Sequence, residues 1–112
     1  MATAAFWQPG ESLDYKNTGS DTIEENTIMK YGDRIAVAGC EIKPGQVGSL
    51  AVKGVFRMPV NGSILPIGGG ADVYWDDDEG EITTTSSSNT KAGYAAQAAK
   101  TGDTEVLVNL NA

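Results

Sequence analysis

The 112-residue chain carries 15 acidic against 8 basic residues, a formal net charge of -7, and no histidine. That balance argues against a nucleic-acid binder, which must neutralise phosphates with lysine and arginine. The missing histidine removes the commonest general base, the usual serine and cysteine triads and most zinc sites.

A chain of this length reads as one domain with a modest core. Its acidity either keeps the protein soluble by self-repulsion or draws it to a basic patch on a partner. Cys40 is the single cysteine, so no intrachain disulfide forms. Within the apolar run I-A-V-A-G-C it reads as a small buried hydrophobe. No apolar run is long enough to span a bilayer, and the N-terminus lacks the basic-then-apolar layout of a signal peptide. The expectation is a soluble protein made in a cytoplasm.

Residues 1–10 (M-A-T-A-A-F-W-Q-P-G) read as an arm with two aromatics, Phe6 and Trp7, ahead of a Pro-Gly breaker. The arm either folds back on its own core or docks its aromatics on a neighbouring subunit. A single β domain is expected over residues 11–112. Leu13 and Tyr15 alternate with Asp14 and Lys16, the period-2 pattern of a half-buried strand. Residues 17–20 (N-T-G-S) form a turn. Residues 27–31 and 34–38 are two short strands joined by Gly32-Asp33, a hairpin signal. Lys43-Pro44-Gly45 breaks the chain, and strands follow at 48–52 and 55–58, with Gly54 marking a bulge or close backbone approach.

Residues 61–70 form a loop, flanked by Pro59 and containing Pro66 and three consecutive glycines. Strands at 73–75 and 81–85 flank an acidic D-D-D-E-G turn, and Tyr74 and Trp75 must face opposite sides of their strand. Residues 86–89 are a polar loop. Residues 91–98 have helix-favouring alanines, but Gly93 and the surrounding strands predict a strand. At residues 104–110, Val106, Val108 and Leu110 alternate with Leu107 and Asn109, the clearest strand in the chain. Eight to ten short strands punctuated by turns predict an all-β sandwich or barrel.

Carboxylates are the only remaining candidates for chemistry. Asp76 and Asp78 match the first and third positions of a calcium loop, but Gly80 and Glu81 fall out of register. The run therefore reads as a solvated hairpin turn. Paired carboxylates for glycoside hydrolysis would need a cleft with aromatic walls, which so few scattered aromatics do not suggest. No catalytic, cofactor or metal residues are assigned.

Several segments in order carry a wider resemblance: L-D-Y-K-N, A-G-C-E-I-K-P-G-Q-V-G, V-K-G-V-F-R-M-P, A-D-V-Y-W-D with its T-T-T strand, and the terminal G-D-T-E-V-L-V-N-L. Over residues 13–110 the chain resembles the phage capsid cement, or decoration, protein family. The resemblance implies a β-barrel or sandwich on the outer capsid surface that holds neighbouring capsomers together. It also implies the major capsid protein as partner, a homotrimer by analogy with other decoration proteins, and residence in the virion after synthesis in the host cytoplasm. Phe6, Trp7, Pro59, Ile64, Leu65 and Pro66 are the expected capsid or inter-subunit contacts. The competing expectation is a virion-displayed binding module or head fibre that recognises a host surface ligand. The recombinase-like label sometimes attached to such proteins finds no support, because no phosphate-binding G-x-x-x-x-G-K-[ST] occurs and Ala99, not glycine, precedes Lys100-Thr101. The aromatic arm and the acidic turn depart from the family's usual pattern.

Overall fold

In the computed structural model, residues 2–6 and 10–112 are described, and they form an all-β sandwich of nine strands in two antiparallel sheets. The first sheet contains β1 (Ser12–Lys16), β2 (Ile28–Tyr31), β3 (Arg34–Ala38) and β4 (Val47–Ala51), in the order β1-β4-β3-β2. The second contains β5 (Val55–Pro59), β6 (Asp72–Asp76), β7 (Glu81–Thr83), β8 (Thr90–Ala95) and β9 (Glu105–Leu110), in the order β5-β9-β8-β6-β7. Neither sheet closes into a barrel. The second curls far enough for Val60, just past β5, to form an isolated bridge with Ile82 in β7.

Local chemistry sets the turns. Gly32-Asp33 joins β2 to β3 with Tyr31 opposite Arg34, and only Gly32 of that pair takes positive φ (62°), the pattern of a type II′ hairpin. The β6–β7 turn is built by its own carboxylates. Asp76 Oδ1 accepts from the Glu79 N–H at 3.1 Å, Asp77 Oδ1 accepts from Trp75 Nε1 at 3.0 Å, and the Gly80 N–H closes on the Asp76 carbonyl at 2.7 Å. The acidic run is thus a hairpin turn, with its carboxylates spent partly on backbone donors.

The main core lies between the sheets. Ile35 and Val37 of β3 meet Met58, Val73, Trp75, Ile82, Ala92, Ala95, Val106, Val108 and Leu110 from the second sheet. The alternation expected of β9 is present, since Val106, Val108 and Leu110 are buried while Leu107 and Asn109 are half-buried. Trp75 is buried and Tyr74 half-buried, as their opposite facings require.

A second, smaller core occupies the other face of the first sheet. Ala36, Ala38, Ile42 and Leu50 are buried there, with Tyr15, Ile23, Met29 and Val52 packed around them. Strand β3 is consequently buried on both faces, which explains why I-A-V-A is apolar throughout rather than alternating. The segments preceding β2 and β4 close this face through a bridge between Ile23 and Ile42. Asn17, only 3% exposed, ties them down: its Nδ2 donates to the carbonyls of Asp21 (2.8 Å) and Ile42 (2.9 Å), and its Oδ1 accepts from the Gly19 N–H (3.0 Å).

Three readings of the sequence are corrected. Cys40 is exposed, not buried. The apolar run ends at Ala38; at Gly39 the chain bends, held by its N–H to the Ser49 carbonyl (2.9 Å), and carries Cys40 out of the strand. The strand expected over residues 91–98 ends at Ala95, and Ala96, Gln97 and Ala98 are exposed before Ala99 returns to the core by a bridge to Ile67. Likewise β7 stops at Thr83, short of residue 85.

Candidate docking surfaces

The first candidate surface is the arm. Residues 2–6 are all exposed, and Phe6 presents 85% of its surface, the most exposed of the large hydrophobic residues described. Trp7 lies outside the described residues. From Gly10 onward the chain enters the first sheet at its outer edge, where the Val52 N–H bonds to the Glu11 carbonyl (2.9 Å) just before β1.

The second is the loop after β5. Pro59 ends that strand and is exposed. Asn61 caps a single 3-10 turn, Gly62–Ile64, through its Oδ1, which accepts from the Ser63 N–H (3.0 Å) and hydroxyl (2.7 Å). Ile64 and Leu65 are half-buried and lean on the main core. A cis Leu65–Pro66 peptide leads to exposed Pro66, and Ile67 is buried again. Ile64, Leu65 and Pro66 therefore share one loop, with Pro59 at the end of the strand leading into it, and of the four only the two prolines are exposed. Phe6 belongs to a separate segment, ahead of β1 in the chain.

Two further features escaped sequence reading because each gathers residues from distant strands. One is a slot of about 330 Å³ between the edge strands β2 and β5, lined by Ile28, Val37, Phe56, Met58 and Pro59 with Asn26, Arg57 and Glu105. The other is a groove of about 450 Å³ walled by Leu13, Tyr31 and Val52, with Arg34 and Lys53 at its rim. Hydrophobicity alone would place Val47 and Val55 in the core, yet they are 64% and 55% exposed. No signal short of the strand order marks the slot.

Charges on the described surface are mostly solvated. Arg57 and Glu105 approach to 3.9 Å, and Lys91 and Asp72 to 3.8 Å, all well exposed; such pairs contribute little to stability. Among the described residues no three acidic, cysteine or histidine side chains converge on a possible metal position, and no helix is long and apolar enough to cross a membrane. What the surface offers is adhesion: apolar edges, an exposed aromatic and free strand edges.

A family model described as phage cement protein matches residues 7–110, nearly the whole chain. No curated protein and no solved structure matches it.

Proposed function

We propose that this chain, which belongs to the phage cement protein family and decorates a phage capsid, sits on the outer surface of the head and bridges neighbouring capsomers. Its partner there is the major capsid protein, and it acts as a homotrimer. The family match over residues 7–110 is the observation that carries the reading.

The mechanism is interfacial. Packaged DNA presses outward, and a protein that binds only the closed shell adds its binding free energy to that state by linkage. Modest contacts repeated over a lattice sum to a large effect, and an oligomer multiplies them by avidity. A sandwich with cores on both faces of its first sheet suits a mechanical part, because few elements can shift independently. The exposed arm and the Pro59–Pro66 loop surface are the contacts this reading assigns, with aromatic and proline side chains serving as rigid anchors.

Quantitative mass spectrometry of purified particles tests the role. Copy numbers in the hundreds, on the scale of the major capsid protein, fit lattice-wide cement; a handful per particle overturns it. Heads assembled without the chain should release DNA at a lower temperature than decorated heads, and equal release temperatures would refute stabilisation.

A further inference from the structure

The slot between β2 and β5 is the open flank of the sandwich. Ile28 and Val37 of the first sheet and Phe56 and Met58 of the second, all members or neighbours of the main core, line it, so the core reaches the surface there. Both flanking strands are sheet edges: among the described residues no strand pairs with the outer side of β2, and on the β5 side only Val60, just past the strand, bridges to Ile82 of β7. The slot thus combines an apolar floor with the unpaired outer edge of β2, the two requirements for receiving an extended segment.

The same chain exposes a segment of matching chemistry. Residues 2–6 read A-T-A-A-F; they are uncharged, small apart from Phe6, and exposed throughout. Charge favours this occupant over others on the molecule. Two copies of a chain with net charge -7 repel, but no residue before Glu11 carries a charged side chain, and Arg57 and Glu105 offset each other at 3.9 Å on the slot's rim.

Topology then sets the form of the contact. The arm leaves from β1 and the slot opens beside β2, and these are the two opposite edges of one four-stranded sheet. Donor and acceptor are different patches, so joining them between copies is a heterologous, head-to-tail contact, which closes into a ring when the rotation permits.

We infer that the slot lined by Ile28, Val37, Phe56, Met58 and Pro59 receives the arm of a second copy, with Phe6 as its anchor, and that this exchange builds the oligomer. The inference rests on the oligomeric part of the function proposed above. It brings together Phe6 and Pro59 and leaves the Ile64–Pro66 loop surface for the capsid.

The test is a disulfide trap. Phe6→Cys and Pro59→Cys are combined in a Cys40→Ser background, oxidised mildly, and run on a non-reducing gel, both as free protein at several concentrations and on decorated particles. Both positions are exposed, so folding is not at stake. Dimers and a closed higher species are expected in at least one setting, absent from either single-cysteine variant. Monomers alone in both settings, whether unlinked or linked within one chain, overturn the inference. If the chain does not bind particles at all, the capsid reading fails while the free-protein gel still decides the arm contact.

Discussion

Tyr15 and Tyr31 stand on opposite edge strands of one sheet, yet their rings meet edge-to-face, with centroids 6.3 Å apart and planes at 77°. Two intervening strands should keep them apart. They meet because β3 and β4 share only two register pairs, Val37 with Ala51 and Ala38 with Leu50, so the β1–β4 and β2–β3 ribbons can fold toward each other. The sheet wraps around Ala36, Ala38, Ile42 and Leu50, with Tyr15 packed against that second core and Tyr31 exposed beside it.

The pair should be measurable as a coupling. Edge-to-face aromatic pairs contribute about 0.5–1.5 kcal/mol beyond their buried area. Tyr31→Ala, at a residue 42% exposed, should cost on the order of 1–2 kcal/mol. A double-mutant cycle with Tyr15→Ala, followed by urea denaturation, should return a positive coupling in the range above. Strict additivity would mean the rings touch without stabilising the fold.

Asn111 joins the two sheets at the end of β9. Its Nδ2 donates to the carbonyls of Ile35 and Val52, both at 3.0 Å, while its Oδ1 is buried without a partner. Asn111→Ala should cost about 2–4 kcal/mol, because two carbonyls lose their donor. Asn111→Asp should be worse at pH 7, since a carboxylate would face those carbonyls. Burial and the carbonyls would raise its folded-state pKa above the unfolded value near 4. Stability is then retained below that unfolded value and lost as pH rises through the folded one. Thermal melts from pH 4 to 7 should show Asn111→Asp falling away from Asn111→Ala as pH increases; parallel curves would contradict the geometry.

Cys40 offers a direct check of the bend after β3. An exposed thiol should react with a disulfide reagent in the native protein about as readily as in denaturant, and Cys40→Ser should change stability by no more than about 0.5 kcal/mol. A thiol protected until unfolding would restore the buried reading.

The strands were legible because each faces one core with period 2 or is flanked by strong turn residues. The terminal alternation of Val106, Val108 and Leu110 and the Gly32-Asp33 hairpin needed no tertiary information. Cys40 was misread because an apolar run shows composition, not where a bend at Gly39 removes the chain from its sheet. The second core was invisible for a related reason: Ile23, Ile42 and Leu50 sit on segments whose proximity depends on strand order. Of the expected contact residues, Ile64 and Leu65 are divided between core and surface, a distinction that proline-rich loop composition cannot make. The slot beside β5 needs Ile28 and Phe56 to be neighbours, and only the sandwich makes them so.

Gly93 decides the ambiguous alanine-rich segment, and it gives the sharpest prediction. Between Val73 and Tyr74 the β6–β8 register slips, Val73 facing Gly93 and Tyr74 facing Lys91, so Ala92 is the extra residue of a bulge and is fully buried. Gly93 takes φ 140°, and a Cβ there would stand 1.9 Å from the Asn109 carbonyl oxygen, on the backbone of β9. A helix over residues 91–98 would discard both the bulge and the β8–β9 pairing that seats Leu110. Gly93→Ala should therefore destabilise by on the order of 3 kcal/mol or more, adding backbone strain to a clash that no side-chain rotation relieves. Gly102→Ala is the control. It also has positive φ (97°) but meets nothing within 4 Å, so it should cost only about 1 kcal/mol. Equal losses in the two variants, read from urea midpoints, would show that conformational strain alone sets the cost and that β8 can move away from β9.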